Sequence, residues 1–554
     1  MYPAKEHAIK TFAKLVDLLP DNDKAKPQVF LLAGEVTPFR NDTDREMPFR
    51  QESNFYYLTG CTVPAAYLLF TAQLGTSLAL TPSIQLFLPE VSIDDLMWSV
   101  PPPTLAEART LYPDATHYAH TTELPAALKE TLTAYPEALV HVLPLPTANE
   151  KSLFPVLSLD YLQLTEGKIT TAFLLPALHH ARLIKTPYEI EMMKKANEVS
   201  SRAHETVMRV LGQGVRNAIK QPKGIKRPLL PGEWLVEKEA EAEAIFVASC
   251  RREGAVHQAY LPIVAGADRA STLHYCCNDK AFAWGPVGRH DHKNNRVLTS
   301  NSQTANGDHA NENGDGPKEF VPQVLLIDAG CEWNCYASDI TRTMPVGNGG
   351  KFTPEARAIY ELVLEMQKLS LAALRPGLHW DAIQLLCHRT LVQGFQRLGI
   401  FLSPSSPNSG SWNSEEAILA SGVSGAFFPH GVGHSIGMDV HDVPSASRPS
   451  DASNATIARH VDLGNESFYK YLRLRLPLEE GMVVTVEPGI YFSPHLLAAV
   501  RDSKHIDHAV LARYEAVGGV RIEDVVLITK DGCDNMTTVR SDIEWVEGVC
   551  SGEL

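Results

Sequence analysis

The stretch PHGVGHSIGMDVHD, residues 429–442, places three histidines, His430, His434 and His441, among glycines. Glycine has no Cβ, so the backbone of such a stretch can come close to a ligand. A single histidine beside a glycine is more often a hydrogen-bonded structural residue than a catalyst. Three of them in one glycine-rich segment indicate instead a catalytic or metal-binding loop.

Four carboxylates elsewhere in the chain stand within or directly after apolar, strand-like runs. They are Asp328 after VLLI, Asp339 in SDITRT, Glu487 after VVTV and Glu523 in VRIEDVVLI. Each one alone is most simply a residue on the solvent face of its strand. For all four that explanation is strained, because the flanking residues do not alternate well enough to form a polar face. Gathered together, they would stay protonated unless a metal ion neutralised their charge.

These carboxylates and one histidine form a hard, oxygen-rich set of donors. Such a set suits Mn²⁺ or another octahedral divalent ion better than a structural zinc ion. Four carboxylates and one imidazole are also more than one ion needs, and they suit two ions bridged by carboxylates and a hydroxide. The sequence therefore predicts two divalent metal ions per subunit, preferably Mn²⁺.

The order of these segments resembles that of the proline-directed metallopeptidases. IDAG, SDITRT, HGVGH, TVEPGIY and VRIED follow one another as in aminopeptidase P and prolidase, which share a pita-bread fold with methionine aminopeptidase and creatinase. The match runs from about residue 185 to residue 538. The resemblance implies five metal ligands: Asp328, Asp339, His434, Glu487 and Glu523.

The resemblance also implies catalytic roles for residues near the ligands. Glu487 would be the general base as well as a ligand. His430 and His441 would stabilise the tetrahedral oxyanion or help to protonate the leaving prolyl nitrogen. His274, in STLHYCCND, matches a substrate-facing histidine of the family.

Two arginines are predicted to be substrate-binding residues. Arg473, in YLRLRLP, matches an arginine with which prolidase-type relatives grip a dipeptide's C-terminal carboxylate through bidentate pairing. The alternative is that Arg473 is a surface arginine of an alternating strand, in which Arg475 could serve equally. Arg521 matches the family's arginine two residues before the last ligand, which supports the site through contacts around the ligands.

A chain of 554 residues is too long for one core and predicts at least two domains. We expect a smaller mixed α/β accessory domain over residues 1–180 and an α+β pita-bread catalytic domain over residues 181–554. The runs QVFLLAG, NFYYLTG, AAYLLF, SLALT and IQLFLPE predict strands in the first domain. FRQESNFYYLTG, residues 49–60, also resembles a motif of the family's accessory domain. Thr186 to Glu189 supplies a capping box for the first helix of the second domain.

Four polar stretches with few aliphatic side chains predict surface insertions in the catalytic domain. They lie near residues 212–232, 279–318, 403–414 and 445–466. The second of them lengthens the chain between His274 and Asp328 relative to the family. If it folds near the cleft, it would restrict the length of the substrate.

Composition argues against several classes of partner. Fifty Lys and Arg against 65 Asp and Glu give a net charge of −15, which disfavours nucleic acid and anionic membranes. The sequence has no apolar run long enough to span a bilayer and no signal-peptide pattern. Its nine cysteines are scattered and odd in number, which is typical of reduced thiols and predicts a cytoplasmic protein.

The resemblance implies an Xaa-Pro aminopeptidase that acts on peptides with proline in the second position, including Xaa-Pro dipeptides. It also implies a homodimer, for which the sequence has no independent signal. The alternatives are a strict Xaa-Pro dipeptidase (prolidase), a catalytically inactive pita-bread interaction module, and metal-free hydrolysis like that of creatinase. The five retained ligand positions argue against the last two.

Overall fold

The computed structural model describes residues 1–74, 82–146, 153–157, 159–165, 167–215, 236–286, 318–406, 410–448 and 465–554. Most of the predicted insertions lie outside these residues: 216–232, 287–317, 407–409 and 449–464. Residues 212–215 belong to the helix Pro187–Val215.

The N-terminal part of the chain is built on a mixed sheet. Its strands are β1 Gln28–Ala33, β2 Tyr67–Ala72, β3 Ser83–Leu88, β4 His117–His120, β5 Leu139–His141 and β6 Ile169–Thr170, in the order β4-β3-β2-β1-β5-β6. β2 pairs antiparallel with β1 and β3, whereas β4, β5 and β6 pair parallel with their neighbours. The described helices of this part are Ala4–Leu18, Asp21–Lys24, Ser53–Thr59, Leu105–Leu111, Leu124–Ala134, Leu159–Leu164 and Leu174–Leu183. A mixed α/β N-terminal domain is therefore confirmed.

The strand predicted at NFYYLTG was wrong, because Ser53–Thr59 is a helix. Aromatic residues favour strands, but the local caps favour a helix. The Glu52 carboxylate accepts a hydrogen bond from Phe55 N at the start, and Gly60, with φ 65°, ends the helix in the left-handed conformation. The strand predicted at SLALT lies outside the described residues.

The C-terminal part begins with the helix Pro187–Val215 and its predicted capping box. Thr186 N donates to Glu189 Oε2 at 2.8 Å, and Glu189 N donates to Thr186 Oγ1 at 3.4 Å. The further described helices of this part are Glu239–Arg252, Pro354–Ala373, Trp380–Leu398, Glu415–Ser421, Pro444–Ser447, Pro494–Ala498, His508–Tyr514 and Ile543–Cys550. None of the described helices of the chain is both long and apolar enough to cross a membrane.

The strands of this part form several small sheets that meet around one point. They are β7 Ile263–Gly266, β8 Trp284–Pro286, β9 Lys318–Phe320, β10 Gln323–Asp328, β11 Glu332–Trp333, β12 Tyr336–Ala337, β13 Thr341–Val346, β14 Val483–Val486, β15 Gly489–Tyr491, β16 Gly519–Arg521, β17 Asp524–Ile528 and β18 Cys533–Asn535. The sheets are β13-β10-β7, β14-β17-β18, β15-β16, β11-β12 and β8-β9. A single bridge from Thr341 to Glu523 connects β13 with the start of β17, and another from Ser435 to Val484 joins the segment after His434 to β14.

A cluster of charged residues, hereafter the interdomain ion cluster, joins the two parts of the chain. Arg182 Nη2 lies 2.7 Å from Asp439 Oδ2 and 2.5 Å from Asp442 Oδ1, and Arg182 is almost completely buried. From the N-terminal part, Arg50 Nη2 donates to the Met438 carbonyl at 2.6 Å. Ser53 Oγ donates to Asp439 Oδ1 at 2.6 Å. These contacts hold the segment on both sides of His441.

Candidate active site

The structure brings all ten predicted site residues to one cleft of about 460 Å³. The lining includes Asp328, Asp339, His434, Glu487, Glu523, His430, His441, His274, Arg473 and Arg521. These residues are spread over most of the C-terminal part of the sequence, so the cleft is a product of the tertiary fold.

Strand pairing explains why the four carboxylates meet. Asp328 ends β10 and pairs with Thr341, the first residue of β13. Asp339 comes shortly before Thr341 in the sequence and therefore lies close to Asp328. Thr341 also forms a bridge with Glu523, which precedes β17. Glu487 directly follows β14, the partner of β17.

Asp339, His434 and Glu523 form the centre of the cluster. Each offers a ligand atom within 4.8 Å of the others, and all three residues are buried. His434 Nε2 lies 3.4 Å from Asp339 Oδ2 and 3.5 Å from Glu487 Oε1. His434 Nδ1 lies 3.1 Å from the Ser435 carbonyl, which requires a proton on Nδ1 and leaves the Nε2 lone pair facing the carboxylates. Burial lowers the pKa of His434 to about 4, so the ring is neutral at pH 7.

The carboxylates repel one another strongly. Burial, and then the neighbouring carboxylates, raise the pKa of Asp339, Glu487 and Glu523 well above the usual values for these residues. Arg521 is a cation in contact with this group, but it offsets only part of the negative charge. Two aspartates, two glutamates and a neutral imidazole therefore fit hard divalent cations, both in donor type and in charge.

Tyr260 belongs to the cluster and was missed by the sequence analysis. Its hydroxyl lies 2.5 Å from Asp328 Oδ1 and 2.6 Å from Asp339 Oδ1. A phenol has one proton and can donate to only one of these oxygens. The other short contact therefore needs a proton or a cation nearby, which also fits a metal site. The surrounding sequence, HQAYLPI, contains no pattern that could have indicated this tyrosine.

Removal of metal tests this electrostatic picture. Folding raises the pKa of these carboxyls. Such a group stabilises the folded protein at a pH below its pKa in the unfolded chain, and this stabilisation is lost as the pH rises through its pKa in the folded protein. Relative to the metal-loaded protein, the chelated protein should therefore lose thermal stability between pH 5 and pH 8. We expect the difference in melting temperature between Mn²⁺-loaded and chelated protein to widen over that range in a thermal-shift assay. A difference that narrows with rising pH would contradict the expectation.

Arg521 makes hydrogen bonds to the proposed ligand Asp328 and to two residues beside the cluster. Its Nη2 donates to Asp328 Oδ2 at 2.6 Å, its Nη1 to Tyr491 Oη at 2.9 Å and its Nε to Thr341 Oγ1 at 3.0 Å. Thr341 Oγ1 in turn donates to Glu523 Oε2 at 2.7 Å. These contacts are those of a supporting residue, and they do not favour the substrate-binding role that was also predicted for Arg521.

The two flanking histidines, His430 and His441, lie beside the proposed ligands as neutral rings. His430 Nδ1 lies 2.8 Å from the Gly431 carbonyl and 3.7 Å from Glu487 Oε2, while its Nε2 lies 2.8 Å from Tyr491 Oη. The His441 ring meets the His434 ring edge-on at 4.5 Å. Burial lowers the pKa of both His430 and His441 to about 3. His274 is exposed at the cleft.

The two arginines of YLRLRLP have different surroundings. Arg475 Nη2 lies 2.5 Å from Asp381 Oδ2, and that carboxylate is buried, so Arg475 is already paired. Arg473 is exposed and lines the cleft. Of the two, Arg473 is therefore the one available to a substrate.

The chain matches two family profiles. Residues 191–530 match Metallopeptidase family M24, and residues 9–141 match the Aminopeptidase P N-terminal domain. A Probable Xaa-Pro aminopeptidase from Pyricularia oryzae is 37% identical over 99% of this chain and 97% of its own length. Another Probable Xaa-Pro aminopeptidase, from Aspergillus clavatus, is 34% identical over 99% of this chain and 98% of its own length.

Solved structures agree with these matches. Aminopeptidase PepP of Pseudomonas aeruginosa is 26% identical, with a TM-score of 0.67, over 100% of this chain and 99% of that one. Proline aminopeptidase P II from Yersinia pestis is 25% identical, with a TM-score of 0.65, over 99% of each chain. The predicted fold class, a pita-bread domain preceded by a mixed α/β domain, is therefore confirmed.

Proposed function

The chain belongs to metallopeptidase family M24, and we propose that it is an Xaa-Pro aminopeptidase, a metallo-exopeptidase that releases the residue before a proline in second position. The observation that carries this proposal is the convergence of two aspartates, one histidine and two glutamates in one cleft. It disfavours the inactive interaction module and metal-free hydrolysis, neither of which needs such a donor set. We further propose a cytoplasmic homodimer that acts on peptides and has no nucleic-acid or membrane partner.

Asp328, Asp339, His434, Glu487 and Glu523 would hold two divalent ions, preferably Mn²⁺ because the donors are mainly carboxylate oxygens. Bound there, the ions would lower the pKa of a water molecule and polarise the scissile carbonyl. With the ions bound, Glu487 would be ionised and could accept a proton from the attacking water.

The chain's own hydrogen-bond donors would complete the reaction. His441 is a neutral ring at the cleft, and it would donate a hydrogen bond to the oxyanion. The one proton of the neutral His430 ring lies on Nδ1 toward the Gly431 carbonyl, so His430 would stabilise the oxyanion only after this N–H turns to the substrate. The prolyl nitrogen of the substrate bears no hydrogen and must gain a proton to leave, which Glu487 could return from the water. His274 and Arg473 would contact the substrate at the mouth of the cleft.

A peptide series tests the assignment. We expect the Mn²⁺-loaded protein to release alanine from Ala-Pro-Ala and from Ala-Pro, and to leave Ala-Gly-Ala intact. Cleavage of Ala-Pro alone would favour the strict dipeptidase. No release from any Xaa-Pro peptide by protein with measured bound metal would refute the proposed function.

Arg473 is expected to bind the C-terminal carboxylate of short substrates. Arg473→Gln should raise the KM for Ala-Pro by about tenfold, since a charge-assisted pair is lost at an exposed position. It should leave kcat nearly unchanged. The control is Ala-Pro amide, which lacks the carboxylate and should be hydrolysed alike by both proteins. An equal rise in KM for the amide would contradict this role.

A further inference from the structure

Gln384 lies on the helix Trp380–Leu398, completely buried, beneath the segment that carries His430. Its Nε2 donates to the His430 carbonyl at 3.0 Å, and its Oε1 accepts from Val432 N at 2.7 Å. One carboxamide thus holds the backbone on both sides of Gly431. Because glycine permits many backbone conformations, the segment depends on such an external contact to keep one shape.

The same contact extends to Glu487. Val432, whose N–H is held by Gln384, accepts a hydrogen bond from Glu487 N through its carbonyl at 2.8 Å. The side chains of His430 and Glu487 are 3.7 Å apart, measured from Nδ1 to Oε2. Gln384 therefore fixes the backbone of His430 directly and that of Glu487 through Val432.

A buried histidine fixes the orientation of the Gln384 carboxamide. His388 Nε2 lies 3.3 Å from Gln384 Nε2, and His388 Nδ1 lies 3.0 Å from Ser424 Oγ. Burial lowers the pKa of His388 to about 3, so its ring carries one proton at pH 7. With that proton on Nδ1, donated to Ser424, the Nε2 lone pair accepts from Gln384. Both N–H groups of the carboxamide and its oxygen are then satisfied, and a flip of the amide would break all three contacts.

We propose that Gln384 is a positioning residue for hydrolysis, whose carboxamide sets the geometry between His430 and Glu487. It does not line the cleft, so it acts through these residues and not on the substrate. The inference rests on the proposed function, because that function gives His430 and Glu487 their roles.

The isosteric variant Gln384→Glu tests the proposal. It replaces two N–H donors by one oxygen, and we expect kcat to fall by about 10–100-fold, as for other residues that orient an active site from behind. KM and bound metal should stay close to those of the native protein, whereas the melting temperature should fall, because the buried carboxyl loses hydrogen bonds that the carboxamide makes. When neutral, the new carboxyl keeps one donor for the His430 carbonyl or for His388; when ionised, it keeps none. The kcat of the variant should therefore fall further as the pH rises, in a step that the native protein lacks.

Gln384→Leu is the second variant, and it should lose kcat without the added pH step. The control is Gln367→Glu on the neighbouring helix Pro354–Ala373, where the glutamine is equally buried but does not contact the site. It should keep the native kcat and pH profile. The proposal is overturned if kcat stays within about twofold in both Gln384 variants, or falls only together with bound metal. An inactive native protein would instead refute the proposed function.

Discussion

Glu487→Gln should lower kcat for Ala-Pro-Ala by at least about a thousandfold, the upper range of losses seen when a general base is removed. A carboxamide has the same shape as the carboxylate but no basic oxygen, so it cannot take the proton from the attacking water. Asp339, His434 and Glu523 still form a compact donor set in this variant. The protein should therefore still bind metal, and KM should change much less than kcat.

The measurement is steady-state kinetics with metal content determined on the same sample. The matched control is Glu479→Gln, an exposed residue shortly before β14, which should keep full activity. If the Glu487→Gln protein keeps its metal and stays within about tenfold of the native kcat, Glu487 is not the base.

Arg521→Met should destabilise the metal-free protein by about 3–5 kcal/mol, the usual result of removing one member of a buried ion pair. The guanidinium is only 4% exposed and is the direct ion-pair partner of Asp328. Without it, Asp328 is left beside the other carboxylates, and Thr341 and Tyr491 lose their donor. Bound Mn²⁺ would replace part of the lost positive charge, so the destabilisation should be smaller in the loaded protein.

Urea unfolding with and without chelator measures both effects. Arg521→Lys keeps the charge but cannot reach three partners at once. Its free energy of unfolding should therefore lie between those of the native protein and of Arg521→Met. The control Arg513→Met removes an exposed arginine that pairs with Glu355, and it should change stability by less than about 0.5 kcal/mol. An equal loss with and without metal would show that Arg521 stabilises through packing alone.

The five proposed ligand positions could be singled out from the sequence because each lies in a short, distinctive local sequence. Asp328 and Glu487 follow apolar strand residues directly, and a carboxylate at such a place is costly unless it is bound. The helices Pro354–Ala373 and Trp380–Leu398 can likewise be predicted from the sequence, because apolar residues recur in them at helical spacing. Local patterns of this kind are informative because the folded protein buries the same apolar residues and places the same carboxylates at the cleft.

Tyr260 and Gln384 could not be predicted in this way. Their roles depend on distances to residues far away in sequence, such as Asp328 for the tyrosine and His430 for the glutamine. No local pattern records such a distance. The helix Ser53–Thr59 was missed for another reason: side-chain propensity favoured a strand, and the two caps outweighed it.

The interdomain ion cluster means that the first domain cannot be discarded as an appendage. Arg50 and Ser53 hold Met438 and Asp439, just before His441 in the cleft wall. A truncated protein that begins near residue 181 would leave Asp439 without Ser53 and the Met438 carbonyl without Arg50, and the loop around His441 would be unsupported on one side. A protein shortened in this way would therefore have a lower turnover. Substitutions in the interdomain ion cluster would also change turnover, although the cluster lies outside the cleft.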